Sequence, residues 1–179
     1  GEIVENGDRV PSVEELFATV APADDVAAIV IEPVLGEGGY IVPPADFLPQ
    51  LRAICDRHGI LLVFDEVQSG MGRTGKMFAA EHTGVVPDIL LVAKGIASGF
   101  PFSALGTRRE LDDQWPKGSH GGTYGGNPMG CAAAMATIDV MSEPGFMDNV
   151  RARGEQLRSA LTALMEPHPT LVQVREPGL

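Results

Sequence analysis

The sequence predicts an α/β fold in which helices cover a mostly parallel sheet. Three apolar runs, residues 26–32, 60–66 and 88–94, do not alternate with polar residues, which is typical of strands buried on both faces. A helical repeat of apolar residues lies between the first two runs. Strand, helix and strand in this order predict a right-handed βαβ unit. We therefore expect three layers, αβα, with the sheet in the middle.

The helices are predicted from capping signals and from periodicity. Ser12 and Glu15 form a capping box that begins a short helix over residues 13–20. Apolar residues at helical spacing predict a second helix from Phe47, and Gly59 is well placed to end it. A short fourth strand and two further helices are predicted over residues 103–107, 128–141 and 146–165.

Composition limits the function classes. The chain has 179 residues, a net charge of −11 and a sequence pI near 4.7. This acidic balance argues against binding to nucleic acid and against docking on anionic membranes. We expect no membrane span and no signal peptide. Cys55 and Cys131 form neither a disulfide framework nor a zinc site, so we expect small buried hydrophobes and a cytoplasmic setting.

Lys94 follows five apolar residues, 89–93, and is one of three lysines in the chain. A lysine at the end of a buried strand is poised for desolvation, which disfavours the ammonium and leaves a nucleophilic amine. Such an amine can form a Schiff base with a carbonyl cofactor. Because the carboxyl ends of parallel strands meet at one edge, we expect Glu32, Asp65 and Glu66 at the same rim.

This region has two other possible interpretations. Taken alone, Asp65 and Glu66 are better explained as solvated acids of a strand-ending turn, and the nearness of Lys94 favours an ion-pairing or proton-holding role. Residues 70–76 satisfy most of a nucleotide-binding P-loop pattern, but Met77 stands where Ser or Thr must bind magnesium. The glycines also do not follow their strand directly, so we reject nucleotide binding.

Two glycine-rich loops are candidate ligand-binding segments. Residues 121–128 lead into a helix, and their backbone N–H groups with the Thr123 hydroxyl suit a phosphate. The alternative is a mobile turn. Residues 35–40 carry Glu37 to the rim described above, and the alternative there is a plain connection between strand and helix.

Four ordered motifs resemble one known family. They are IEPVLGEGGY, LLVFDEVQSGMGRTGKMFA, PDILLVAKGIASGFPFSA and HGGTYGGNPMGCAAA. Together they are similar to the class III, pyridoxal-phosphate-dependent aminotransferases of fold type I, and most of all to the 4-aminobutyrate and related ω-amino-acid transaminases. The resemblance extends from about Val26 to the end of the chain.

The resemblance implies a role for each candidate site residue. Lys94 would hold the cofactor, pyridoxal 5'-phosphate, as a Schiff base, and Asp65 would pair with the pyridine nitrogen. Val67 would pack on the face of the ring, and Gln68 would hydrogen-bond its phenolic oxygen. Thr123 would bind the cofactor phosphate of the neighbouring subunit, which implies a homodimer with a shared site.

The resemblance also implies a substrate gate and a domain organisation. Glu37 would pair with an arginine and release it when a dicarboxylate arrives, but this chain has no counterpart of that arginine. Residues 1–166 would be the C-terminal half of the large cofactor domain. Residues 167–179 would begin the connection to a small C-terminal domain that this chain lacks, so we expect it to be part of a longer polypeptide.

The activity implied by the resemblance is transfer of an amino group from an ω-amino acid to a 2-oxo acid, 2-oxoglutarate. Acetylornithine, ornithine and diaminobutyrate transaminases share these motifs, and so do aminomutases and racemases of the family. An alternative of another class is a catalytically incomplete fragment.

Overall fold

A computed structural model describes residues 4–5, 8–9, 12–175 and 178. Its strands are β1 (Val4–Glu5), β2 (Asp8–Arg9), β3 (Ala28–Ile31), β4 (Leu61–Asp65), β5 (Ile89–Val92) and β6 (Ala104–Thr107). Its helices are α1 (Val13–Thr19), α2 (Phe47–His58), α3 (Arg109–Asp112), α4 (Pro128–Met141) and α5 (Phe146–Met165). Short 3-10 helices span Ala23–Asp25, Ala79–His82 and Lys94–Ala97.

The central sheet has four strands in the order β3-β4-β5-β6. The first three are parallel, and β6 runs antiparallel to β5. Ile31 pairs with Phe64, and Asp65 pairs with Leu91, so the carboxyl ends of β3, β4 and β5 meet at one edge. This arrangement confirms the predicted α/β class with a mostly parallel sheet.

The predicted helix signals are present in the structure. The Ser12 hydroxyl accepts from Glu15 N at 3.2 Å, and the Glu15 carboxylate accepts from Ser12 N at 2.7 Å, which completes the capping box of α1. Gly59 ends α2 in the left-handed conformation with φ 68° and donates its N–H to Cys55 O. Glycine suits this position because other side chains are strained there.

Helices pack on both faces of the sheet. On one face a core forms between α2, β4 and the segments around them, with the buried residues Leu48, Leu51, Cys55, Ile60, Leu62, Phe64 and Ala80. On the other face Val92, Ile96, Ala97 and Ala134 bring β5, a 3-10 helix and α4 together. These two cores make the three predicted layers. Cys55 is the small buried hydrophobe that was expected, whereas Cys131 is only half-buried.

Two strand predictions differ from the structure. The run over residues 26–32 was expected to be buried on both faces, but β3 is an edge strand of this sheet and Val30 is 62% exposed. The described residues do not cover the face on which Val30 lies. The third strand ends at Val92, because Lys94 has φ 46° and begins a 3-10 helix instead of extending the strand. No helix in the described ranges is long and apolar enough to cross a membrane.

A buried ion cluster ties the strands together at the edge opposite their carboxyl ends. Asp88 is 1% exposed and accepts hydrogen bonds from Leu62 N and from Arg52 Nη1, both at 2.7 Å, and from Arg108 Nη2. Thr107 Oγ1 also donates to Asp88 O at 3.1 Å. Burial alone would raise the pKa of Asp88, but the Leu62 and Arg52 hydrogen bonds and the two guanidinium charges outweigh it, and its pKa lies below the ordinary value.

We expect Asp88→Asn to lower the free energy of unfolding by about 1–3 kcal/mol, because the amide would leave buried donors without an acceptor. The folded state binds fewer protons than the unfolded state while pH is near the ordinary Asp pKa of about 3.9. The contribution of Asp88 is therefore complete above that value and is lost as pH falls through the lower, folded pKa. Thermal unfolding between about pH 6 and pH 2 checks this: the variant should lose less stability on acidification than the wild type. An equal acid slope in both proteins would contradict it.

Candidate active site

A cavity of about 620 Å³ lies at the carboxyl edge of the sheet. Four of the sequence-predicted site residues line it: Glu37, Val67, Gln68 and Lys94. They come from three separate segments, which follow β3, β4 and β5 in turn. The parallel register therefore delivers them to one place, as expected for ligand sites of open α/β sheets.

Lys94 is held at the cavity by its backbone conformation and by one side-chain contact. Its φ of 46° places it in the left-handed region, and its Nζ donates a hydrogen bond to Gln68 Oε1. The sequence predicted a desolvated lysine, but Lys94 is exposed in this chain. The difference arises because β5 ends at Val92, two residues before the predicted end of the strand, and Lys94 begins a 3-10 helix instead of continuing the strand.

Backbone strain is concentrated around the cavity. Among the described residues, four non-glycine residues have positive φ, and Tyr40, Met71 and Lys94 of these line the cavity. Each such conformation costs on the order of 1–3 kcal/mol and persists only where surrounding contacts impose it. Strain of this kind clusters at functional sites.

Asp65 and Thr123 are not among the residues that line the cavity in the described chain. Asp65 is the last residue of β4, is half-buried, and accepts a hydrogen bond from Val67 N at 3.0 Å through its Oδ1 atom. Thr123 lies in an exposed turn before α4. The structure thus brings four of the six candidates together at the cavity, while Thr123 is exposed and is not part of the cavity lining.

Glu66 is a buried anchor beneath the cavity wall. Its side chain is fully buried, and its carboxylate accepts from Ser69 Oγ at 2.7 Å, Ala79 N at 2.9 Å and Ala80 N at 2.7 Å. Gly70 N donates to Glu66 O at 3.0 Å, and a Cβ at position 70 would lie 2.6 Å from that oxygen. The interpretation of Glu66 as a solvated acid is therefore wrong, because every donor that holds it is internal.

The glycine-rich loop over residues 35–41 forms a second wall of the cavity. Leu35 and Ile41 exchange backbone hydrogen bonds of 3.0 and 2.9 Å and close its base. Gly36 N donates to Glu32 Oε2 at 2.8 Å, which gives the rim acid Glu32 a structural partner. A Cβ at position 36 would lie 2.8 Å from Gln68 Nε2, so the loop rests against the residue that contacts Lys94.

Sequence reasoning placed Glu66 at the rim but missed its burial and its internal hydrogen bonds. Ser69, three residues later, was a local signal, because its hydroxyl can donate to the Glu66 carboxylate. Arg73 and Arg175 also line the cavity, but Arg175 reaches it through a contact with Gly39 across 136 residues. No local pattern predicts a contact of that length.

The charges around the cavity oppose the charge of the chain. Its lining holds three cationic side chains, Lys94, Arg73 and Arg175, and one acid, Glu37, in a chain with 13 Lys and Arg against 24 Asp and Glu. A concave surface with this local excess of positive charge favours anionic ligands.

Neither the P-loop-like segment nor a metal-binding group of side chains adds a further site among the described residues. Lys76 of the P-loop-like segment donates its Nζ to Glu81 O at 2.9 Å, so its amine is turned to the backbone. Within the described residues no group of three or more His, Cys, Asp or Glu side chains is arranged to hold a metal ion.

Relatives of known function match this chain. The family Aminotransferase class-III matches residues 3–179. The chain is 44% identical over 175 residues to 5-aminovalerate aminotransferase DavT of Pseudomonas aeruginosa, covering 98% of this chain and 41% of that protein. It is 43% identical over 175 residues to 4-aminobutyrate aminotransferase GabT of Escherichia coli, with coverage of 98% and 41%. It is 44% identical over 180 residues to the acetylornithine aminotransferase of Brucella melitensis, with coverage of 100% and 45%. The chain therefore spans less than half the length of these relatives.

Solved structures share the fold. An (S)-enantioselective omega-transaminase from Thermomicrobium roseum superposes with a TM-score of 0.85 at 37% identity, covering 93% of this chain and 38% of that one. An amine transaminase from an uncultivated Pseudomonas species, solved in its PLP-bound form, gives a TM-score of 0.81 at 43% identity, with coverage of 88% and 37%. These likenesses confirm the predicted fold class, which is that of fold type I transaminases.

We expect Glu66→Gln to lower the free energy of unfolding by about 1–3 kcal/mol, because the amide nitrogen would face a backbone or hydroxyl donor in a buried site. The loss should be accompanied by faster hydrogen exchange in residues 69–80. Denaturant unfolding and exchange mass spectrometry measure both effects. The exposed Glu143→Gln is the matched control and should leave both unchanged, and a Glu66 variant as stable as this control would contradict the anchoring role.

Proposed function

The chain belongs to the class III aminotransferases, and from this premise we propose that the whole protein is a pyridoxal-phosphate-dependent transaminase. It moves the amino group of an ω-amino acid of the 4-aminobutyrate type to 2-oxoglutarate. The observation that carries the proposal is the Lys94 amine, which donates a hydrogen bond to Gln68 Oε1 and lines a basic cavity of about 620 Å³.

The residues present fit pyridoxal phosphate. The cavity volume lies within the range of about 300–1,000 Å³ that is typical of small-molecule sites. Its primary amine suits an aldehyde, the Gln68 amide suits a phenolic oxygen, and the positive lining suits an anionic group. When bound, the cofactor supplies the aldehyde that combines with amines and the ring that draws electrons from the adjacent carbon.

Each candidate site residue has a stated role in this proposal. The Lys94 amine would hold the cofactor and, once a substrate amine has replaced it, would move a proton from the substrate carbon to the cofactor carbon. Asp65, the last residue of β4, would supply the carboxylate that keeps the pyridine nitrogen protonated. Gln68 orients the ring through its amide, and Val67 provides an apolar face that excludes water.

Thr123 acts in a second copy of the chain. Its place in an exposed turn, apart from the residues that line the cavity, supports a contact with the cofactor phosphate of a neighbouring subunit. The working unit is then a homodimer, with an amino-acid donor and a 2-oxo acid acceptor as its small-molecule partners. In this proposal the chain supplies the second half of the large domain of each subunit.

The donor class follows from Glu37 and from the relatives. Glu37 is exposed on the cavity lining, where it would pair with an arginine of the whole protein while an ω-amino monocarboxylate is bound and release that arginine when the dicarboxylate 2-oxoglutarate arrives. Similarity to the 5-aminovalerate and 4-aminobutyrate enzymes supports donors with one carboxylate and a distant amine. An identity of 44% to an acetylornithine aminotransferase supports that donor as the second candidate. A screen of donors against 2-oxoglutarate decides between them, and failure of every donor would leave an aminomutase or racemase.

In the whole protein, Lys94→Ala should abolish the visible absorbance band of the covalently held cofactor and reduce kcat by at least ~10²–10⁴-fold, the contribution typical of a positioned acid-base group. Absorbance titration with cofactor and steady-state kinetics measure the two effects. Lys117→Ala, an exposed loop lysine, is the matched control and should behave as wild type. A band that survives in the Lys94 variant would refute the assignment.

Glu37→Gln should shift donor preference without abolishing turnover. Without the Glu37 charge the gate arginine of the whole protein stays free to bind a second carboxylate, so the ratio of kcat/KM for an ω-amino monocarboxylate to that for an α-amino dicarboxylate should fall about tenfold, which corresponds to ~1.4 kcal/mol. Parallel kinetics with the two donor classes measure this ratio. An unchanged ratio would remove Glu37 from substrate selection.

A further inference from the structure

The segment over residues 70–77, here called the 70–77 loop, has the cavity on one side and two helices on the other. Four of its residues line the cavity: Gly70, Met71, Arg73 and Thr74. Behind the loop lie Met141 of α4 and Met147 of α5, since a Cβ at position 72 would lie 2.9 and 3.3 Å from their Cε atoms. The two helices therefore pack closely on the back of the loop, where glycine leaves room for them.

Arg151 of α5 binds the back of the same loop. Its Nη1 donates to Gly75 O at 2.6 Å, between residues that are 76 positions apart in the sequence, and a charged donor makes such a bond strong. Gly75 has φ 80°, which glycine adopts freely, and a Cβ there would lie 2.7 Å from Arg151 Cγ. Arg151 also pairs with Asp148 on its own helix. One guanidinium thus joins the 70–77 loop to α5.

Met71 connects the front of the loop to the segment that contains Lys94. Its side chain packs against the buried cluster of Val92, Ile96, Ala97 and Ala134. A Cβ at position 95 would lie 3.0 Å from Met71 Cβ, and Gly95 directly follows Lys94 in the sequence. The loop therefore lies directly against the 3-10 helix that begins at Lys94.

Lys94 depends on its neighbours because its backbone is strained. Its φ is 46°, and a left-handed conformation at a non-glycine residue persists only where surrounding contacts impose it. Gln68 Oε1 holds the end of the side chain. The backbone is held by what packs on the 3-10 helix, and Met71, which itself has φ 55°, is one of those contacts.

We propose that Arg151 is a positioning residue for the Lys94 amine, which acts through the 70–77 loop. Arg151 fixes Gly75, the loop then keeps Met71 against Gly95, and this packing keeps Lys94 in its left-handed conformation at the cavity. Arg151 is not among the described residues that line this cavity, so its effect is indirect. The kinetic part of the inference rests on the proposed function, in which the amine moves a proton.

The test compares four variants of the whole protein. Arg151→Ala removes the hydrogen bond to Gly75 O, whereas Arg151→Lys leaves an ammonium that can still donate to it. Two matched controls lie on α5. Asp148→Asn removes the charge pair with Arg151 but leaves the Gly75 contact in place. Arg153→Ala removes an exposed arginine whose hydrogen bond to Gln156 stays within the helix.

Hydrogen exchange of backbone amides is the first readout, and it does not depend on turnover. In Arg151→Ala the amides of Gly75, Ile96 and Ser98 should exchange about three- to tenfold faster than in wild type, because the loop and the 3-10 helix both open more often. These amides donate to Gly72 O, Ala93 O and Gly95 O in the structure. The amides of β4 and both controls should exchange as in wild type.

Two exchange results would overturn the proposal. Faster exchange at Gly75 without a change at Ile96 and Ser98 would mean that the loop does not hold the 3-10 helix. Equal acceleration in the amides of β4 would mean that Arg151 contributes only to general stability.

Single-turnover kinetics of the amino-donor half-reaction is the second readout. At saturating donor, Arg151→Ala should lower the rate constant about 5- to 100-fold, because a displacement of ~1 Å at a reacting group can cost on the order of 10²-fold. The half-saturating donor concentration should change less than about twofold, since the loss falls on the chemical step. Arg151→Lys should recover at least part of the rate, and the two controls should behave as wild type.

The loss of rate should be the same for every donor that the wild type accepts, because Lys94 serves all of them. A loss that differs between donors, or one confined to the half-saturating concentration, would overturn the proposal, because the loop would then shape the donor pocket and not the amine. A wild-type protein that transfers no amino group would overturn the proposed function instead. The exchange of Ile96 and Ser98 would then decide alone whether Arg151 positions the Lys94 segment.

Discussion

The buried carboxylate of Glu66 is the interaction on which the cavity depends. A charge without solvent is costly unless hydrogen bonds replace the lost water, and here a hydroxyl and two backbone N–H groups replace it. The same bonds fix where the chain goes after β4. Val67, Gln68 and Met71 follow this anchor directly, and all three line the cavity. Glu66 therefore determines the positions of these residues although it does not line the cavity itself.

The second buried acid, Asp88, works at the other end of the strands. It binds guanidinium groups from α2 and from the residue after β6, together with a backbone N–H of β4. The two buried acids therefore act at opposite ends of the strands. Asp88 connects the elements at the amino ends of the parallel strands, and Glu66 shapes the ligand-binding edge. Both act through satisfied hydrogen bonds, which is what makes burial of a carboxylate tolerable.

Much of the fold could be predicted because its signals are local. The Ser12–Glu15 box, Gly59 and the apolar runs each act within a few residues, and each element that they predict is present. The parallel register then placed Lys94 and Gln68 at one edge. Burial was harder to predict, because it depends on what packs against a segment: Val30 and Lys94 are exposed although their local sequence is apolar. The Arg175–Gly39 contact had no local signal at all.

The two walls of the cavity differ in how much change they can absorb. At Gly70 an added methyl group would clash with the backbone carbonyl of Glu66. The Glu66 side chain is itself fixed by hydrogen bonds, so the wall after β4 is the rigid, or hard, wall. The 35–41 wall is soft, because glycines form its tip and one guanidinium steadies it. A mutant library meant to reshape the ligand space should therefore concentrate its diversity on the soft wall and leave the hard one intact. Related chains would also diverge in substrate preference most easily through substitutions in the 35–41 wall.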